Sequence, residues 1–140
     1  MEAFGNAGNV SDIVLSDMPK MVFIVEDDPS LRTLYEEMLD DEGLRGFSFS
    51  SSNEALEMLS GYTPRALVTD VDGLGEMNGL KLAQTLRERR HDLPVLVVSG
   101  GTHEAEARGL NLSYLPKPAR LAEIVDKLKA LLSTEQMVPA

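Results

Sequence analysis

The chain has 140 residues, 43% of them hydrophobic and 26% charged, which suits one globular domain and argues against a disordered segment. Its formal charge of −10 repels phosphate backbones and anionic membrane surfaces, so neither nucleic acid nor membrane is an expected partner. Without cysteine there is no disulfide framework, thiolate nucleophile or Cys-ligated zinc, and no apolar run approaches the roughly 20 residues that span a bilayer. A cytoplasmic location is the expectation.

Residues 1–20 show no sustained period and are expected to form a flexible leader, with a turn of helix around Ile13. The domain proper is expected at residues 21–132, followed by a tail at 133–140. Met21-Val22-Phe23-Ile24-Val25 is a continuous apolar run of the kind that forms a strand covered on both faces. It ends in Glu26-Asp27-Asp28, and Pro29 follows as the first residue of a helix capped by Asp28. Leu31, Leu34, Tyr35, Met38 and Leu39 form that helix's apolar stripe, and Gly43 is its stop.

A shorter strand is predicted over residues 44–49, then a helix capped by Ser52 or Asn53, carrying Ala55, Leu56 and Leu59 and closed by Gly61. Ala66-Leu67-Val68-Thr69 reads as another buried strand, ending at Asp70 and entering the loop 71–79. A third helix carries Leu80, Leu82, Ala83 and Leu86. The fourth strand, residues 94–98, is stopped by Ser99-Gly100-Gly101, and Tyr114-Leu115 forms a fifth ahead of Pro116-Lys117-Pro118. Leu121, Ile124, Val125, Leu128 and Leu131 mark a last helix. Strands alternating with helices predict an α/β fold: a doubly wound parallel sheet with helices on both faces.

In such a sheet the ligand site lies beyond the carboxyl ends of the strands, where strand order reverses. Those ends carry Glu26, Asp27 and Asp28, then Asp70, then Ser99, with Lys117 after the fifth. Crowded carboxylates raise one another's pKa unless a cation sits among them. Magnesium suits the role, because it takes oxygen ligands and is usually held by one or two carboxylates beside a phosphate. Lysine contributes a point charge for phosphate oxygens, serine a small donor, and an aspartate can itself be phosphorylated. The set points to acyl-phosphate chemistry.

Four ordered motifs resemble the receiver domain of bacterial response regulators across residues 21–132. Val25-Glu26-Asp27-Asp28-Pro29-Ser30-Leu31-Arg32 is similar to the family's first strand and acidic pair, and Val68-Thr69-Asp70-Val71 to its phosphoacceptor strand. Met77-Asn78-Gly79-Leu80 is similar to the start of its third helix, and Tyr114-Leu115-Pro116-Lys117-Pro118 to its fifth-strand motif. The resemblance implies a five-stranded flavodoxin-like (βα)5 fold and Asp70 as the acceptor of a phosphoryl group. It implies Mg2+ held by Glu26, Asp27, Asp70 and the backbone carbonyl of Asp72, with Asp27 favoured as a direct ligand. Lys117 would contact the phosphoryl group, before a cis peptide. Ser99 and Tyr114 would be the switch pair, with Tyr114 turning inward on phosphorylation, and Gly100 would leave the phosphoryl group accessible. The implied partners are a histidine kinase or histidine phosphotransfer protein and a downstream protein target. The receiver would be of the single-domain type or the type that accompanies hybrid sensor kinases.

The chain departs from the family pattern in two places. Leu74 stands where the loop after Asp70 usually has proline, and that loop is a residue longer than its commonest form. Between Ser99 and Lys117 the chain is about one helical turn short, with Gly109 and Asn111 in what remains, so a shortened fourth helix is expected. The side chain of Asp72 is expected to influence how long the phosphoform lasts, whereas His91 and His103 read as surface residues.

Two other readings compete. Leu67-Val68-Thr69-Asp70-Val71-Asp72-Gly73 also resembles the first motif of haloacid-dehalogenase-type phosphatases, with Asp70 as nucleophile and Asp72 as general acid. There the acidic metal pair follows the lysine, where this chain has only Glu123 and Asp126. A degenerate receiver that binds partners without phosphorylation is the other alternative.

Overall fold

The first apolar run forms β1 (Met21–Val25), and all of its residues are buried. It belongs to a computed structural model that describes residues 21–58 and 64–137. The chain continues through α1 (Pro29–Asp41), β2 (Arg45–Phe49), α2 (Ser52–Met58), β3 (Ala66–Thr69), α3 (Gly79–Arg87), β4 (Val95–Ser99), α4 (Glu104–Gly109), β5 (Ser113–Pro116) and α5 (Leu121–Met137). Every pairing is parallel, and the order β2-β1-β3-β4-β5 makes the predicted doubly wound, flavodoxin-like sheet. The expected leader at residues 1–20, including its turn around Ile13, lies outside the described residues, as do Leu59 and Gly61.

Because successive strand residues face opposite sides of a sheet, the continuous apolar runs feed two cores. Phe23, Phe47, Phe49, Leu67 and Val97 pack beneath α2, α3 and α4, together with Ala55, Leu82 and Ala107. Val22, Ile24, Val68 and Leu96 meet Tyr35 and Leu39 of α1 and Ile124 and Leu128 of α5. Phe23, Phe47 and Phe49 form a mutual aromatic cluster, with ring centroids 6.1 Å (Phe23–Phe47), 5.0 Å (Phe23–Phe49) and 5.3 Å (Phe47–Phe49) apart.

Helix ends follow local chemistry. The Asp28 carboxylate accepts from the amides of Ser30 and Leu31 and caps α1. At the other end Gly43 adopts φ 75°, its amide donates to Asp40, and the Leu44 amide donates to Leu39, a closure in which Leu44 belongs to the helix stop. The second strand therefore starts at Arg45, a residue later than predicted. Asn111, with φ 61°, ends α4 in the same way, with Leu112 donating to Ala107, and the fourth helix is shortened to six residues as expected.

Other expectations are corrected. The cap of α2 is Ser51, whose hydroxyl accepts from the Glu54 amide. Ser52 is fully buried inside the first turn, its hydroxyl spent on the Met77 carbonyl. Leu34 is 42% exposed and Leu121 37% exposed, because the buried stripes of α1 and α5 run through Tyr35, Met38 and Leu39 and through Ile124, Leu128 and Leu132. The last helix continues to Met137, so residues 133–137 of the expected tail are helical. No helix among the described residues is long and apolar enough to cross a membrane.

Arg87, at the end of α3, pins the edge of the fold opposite the strand carboxyl ends. Its guanidinium donates to the carbonyls of Leu93, Leu110 and Asn111, which ties α3 to the start of β4 and the end of α4. Burial lowers its pKa, the cost of holding a cation there to satisfy three loop carbonyls. Arg87→Met leaves those acceptors unpaired and is expected to lower unfolding stability by about 2–4 kcal/mol in urea titration. A midpoint equal to that of the wild type would show that the bonds contribute nothing.

Candidate functional site

The sheet order places β3 between β1 and β4, so Asp70 emerges at the centre of the carboxyl edge with Glu26 and Asp27 on one side and Ser99 on the other. Lys117 is brought back by β5, its amide donating to the Ser99 carbonyl at 2.9 Å. The Lys117–Pro118 peptide is cis, as the resemblance implied.

Lys117 joins the two acidic strand ends. Its ammonium donates to Glu26 Oε1 at 2.8 Å and to Asp70 Oδ2 at 2.9 Å. The three side chains are 3%, 13% and 23% exposed for Glu26, Asp70 and Lys117, so the pairs are little screened. Burial works against the ammonium, but the two carboxylates outweigh it and raise the Lys117 pKa. Burial also raises the Glu26 pKa, against the opposing pull of Lys117 and of the Asp28 amide that donates to it. Arg32 donates to the Glu26 carbonyl at 2.8 Å and fixes the turn that presents the acidic residues.

Glu26, Asp27 and Asp70 each offer an oxygen within 4.8 Å of the others. An all-oxygen donor set of this span suits a hard divalent cation. The loop after Asp70 is shaped around it: Gly73 has φ 81°, and a Cβ there would lie 2.8 Å from Asp27 Oδ2. Gly79 packs so closely on the Asp70 carbonyl that a Cβ would sit 1.7 Å from that oxygen. Leu74, which replaces the usual proline, is 2% exposed and anchors the loop in the core, while its carbonyl accepts from the Ser52 amide. The residue that looked like a departure is the loop's apolar peg.

On the other side, Ser99 is buried at the end of β4 and its Oγ accepts from the Gly101 amide at 3.2 Å. A Cβ on Gly100 would meet only the Lys117 side chain, at 3.8 Å. Tyr114 lies beside Ser99. Its ring is already inward at 4% exposure, and its hydroxyl proton is shared between the Ser99 and Gly101 carbonyls at 3.3 and 3.2 Å. Two backbone acceptors satisfy the phenol in the buried position.

His103, read as a surface residue, is a further member of this edge. Its Nε2 lies 3.0 Å from Asp72 Oδ2, across the gap between the loops that follow β3 and β4. The only sequence signal was its position just past Ser99-Gly100-Gly101, where two glycines leave room for a ring to fold back. His91 is exposed, as expected. Glu123, which the phosphatase reading requires near the nucleophile, is engaged at the start of α5 by the Arg120 amide.

The chain belongs to the response regulator receiver domain family, whose model matches residues 22–129. It is similar to response regulator MprA of Mycolicibacterium vanbaalenii, 32% identical over 119 residues that cover 82% of this chain and 51% of that protein. It is also similar to the DNA-binding transcriptional regulator NtrC of Klebsiella pneumoniae, 33% identical over 121 residues, covering 83% of this chain and 25% of that protein. The chain thus spans about half the length of the first relative and a quarter of the second. Among solved structures, a response regulator receiver protein from Sinorhizobium medicae superposes with a TM-score of 0.74 at 26% identity, covering 81% of this chain and 94% of that one. The chain is therefore a receiver domain of the kind that serves two-component signalling.

Crowding at the acidic edge has a measurable consequence. Asp27→Asn removes one of the repelling carboxylates and is expected to raise the thermal midpoint in EDTA by a few degrees, about 1 kcal/mol, while removing most of any stabilisation that a hard divalent cation such as Mg2+ gives when added to the wild type. An unchanged midpoint in EDTA, or undiminished stabilisation by Mg2+, would contradict the assignment of Asp27 to this cluster.

Proposed function

We propose that Asp70 accepts a phosphoryl group from the phosphohistidine of a histidine kinase or histidine phosphotransfer protein, and that the domain signals by protein contact or by onward transfer. The observation that carries this reading is the lysine-bridged pair itself: a half-buried carboxylate at the central strand end, held by Lys117 beside two further carboxylates. An Asp70 oxygen attacks phosphorus in line, the bond from phosphorus to the donor's imidazole nitrogen breaks, and the imidazole keeps the electron pair and takes up a proton. The product is an acyl phosphate on Asp70.

In this reading Lys117 follows the charge. Its ammonium stabilises the Asp70 carboxylate before transfer and then meets the phosphoryl oxygens, which carry the negative charge afterwards. Glu26, Asp27, Asp70 and the Asp72 carbonyl would hold Mg2+, which supplies a second positive charge for the phosphoryl oxygens when bound. Ser99 swings toward the new oxygens and donates its hydroxyl proton to them, and the Gly101 amide, which donates to the Ser99 Oγ, follows it or loses that bond, so the loop after β4 moves. Because the Tyr114 hydroxyl donates to the Ser99 and Gly101 carbonyls, displacement of that loop is coupled to the position of the ring.

The test uses phosphoramidate and Mg2+ as the donor system, with the phosphoform resolved on a phosphate-affinity gel. The wild type is expected to be modified, Asp70→Asn not at all, and Lys117→Ala about 10²-fold more slowly, the usual loss when a preorganised charge contact is removed. Absence of modification in the wild type would overturn the proposal in favour of a receiver that works without phosphorylation.

A further inference from the structure

His103 and Asp72 sit on different loops, 31 residues apart in sequence, and meet at 3.0 Å at the mouth of the site. An ionised carboxylate only accepts, so the imidazole Nε2–H donates. The contact is built rather than incidental. Gly101 lies directly beneath the ring, where a Cβ would stand 2.8 Å from His103 Cδ2, 2.9 Å from Nε2 and 3.4 Å from Asp72 Oδ2. Only a residue without a side chain lets the ring reach the carboxylate. The Gly101 carbonyl is in turn held by Tyr114, so the ring rests on a backbone segment anchored in the core. His103 itself is 25% exposed, whereas the Asp72 side chain is 70% exposed and has no other hydrogen bond among the described contacts.

From this geometry we infer that His103 is a positioning residue that holds the Asp72 carboxylate aside from the phosphoacceptor and so lengthens the life of the phosphoform; the inference rests on Asp70 being the phosphorylated residue. Loss of the phosphoryl group is hydrolysis: a water oxygen bonds to phosphorus as the bond from phosphorus to the Asp70 oxygen breaks. The products are the Asp70 carboxylate and inorganic phosphate, with the water's surplus proton passing to phosphate or solvent. A free carboxylate two residues from Asp70 accepts a proton from such a water and orients its oxygen. Tied to His103, Asp72 does not serve in that way.

The experiment follows decay of the phosphoform of the full chain after the phosphoramidate is removed, in Mg2+, for a set of variants. His103→Ala is expected to decay several-fold faster than the wild type. Gly101→Ala pushes the ring off the carboxylate while leaving both partner residues unsubstituted, and is expected to decay faster as well. His103→Gln, whose amide N–H also reaches a carboxylate, is expected to restore most of the lifetime. In an Asp72→Ala background the His103→Ala substitution is expected to change decay by less than twofold, because the carboxylate it releases is gone. Thermal melts of each variant separate these effects from loss of folding, since the Gln rescue and the dependence on Asp72 are not properties of a merely destabilised chain.

Equal decay of His103→Ala and the wild type overturns the inference while leaving Asp70 as acceptor. So does an effect that persists undiminished without Asp72. A wild type that takes no phosphoryl group overturns both.

Discussion

Glu26 and Asp70 end neighbouring parallel strands, and the register of those strands leaves their carboxylates no room to separate. Lys117 is what allows them to stay, since its ammonium lies within 3 Å of both. An ion pair this sheltered is worth little to stability by itself, because desolvating the charges offsets most of their attraction, but removing one member strands the others. The hydrogen bond from the Lys117 amide to the Ser99 carbonyl and the Arg32 contact with the Glu26 carbonyl both bear on this one arrangement. The fold places charge where a phosphoryl group brings more, and the lysine lets the site wait for it.

The loops around the edge divide the work. The loop after β3 is fixed at its far end by Leu74 in the core and by Gly79 against the Asp70 carbonyl, which leaves the segment from Asp72 to Gly73 to shape the site. The loop after β4 runs over residues 100–103 and hangs from Tyr114 through the Ser99 and Gly101 carbonyls. The Asp72–His103 contact joins the two loops. In the proposed mechanism a change at Ser99 would pass directly to the segment that carries His103, because the Ser99 Oγ accepts from the Gly101 amide.

Much of this was legible in the sequence, for a physical reason. Strands buried on both faces read as continuous apolar runs, and Met21 to Val25 and Ala66 to Thr69 are unambiguous; once their order is known, the acidic residues that follow must share an edge. The short fourth helix was also visible, because Asn111 is a residue that tolerates the left-handed conformation of a helix stop. What escaped depends on contacts between loops. The inward Tyr114 is decided by two carbonyls that no local pattern reports, the cap of α2 shifted to Ser51 because Ser52 was claimed by Met77, and His103 found its partner only because both loops turn toward each other. Leu34 was misplaced for a simpler reason: an apolar residue at the margin of a helical stripe is free to face solvent.

The identity of the phosphorylated residue is the claim on which the account turns. Borohydride reduction of the phosphoform converts an aspartyl phosphate to homoserine, and peptide sequencing by mass spectrometry then gives its position. The account predicts homoserine at Asp70 alone. Homoserine at Asp27 or Asp72, or its absence from a chain shown to carry phosphate, would contradict it.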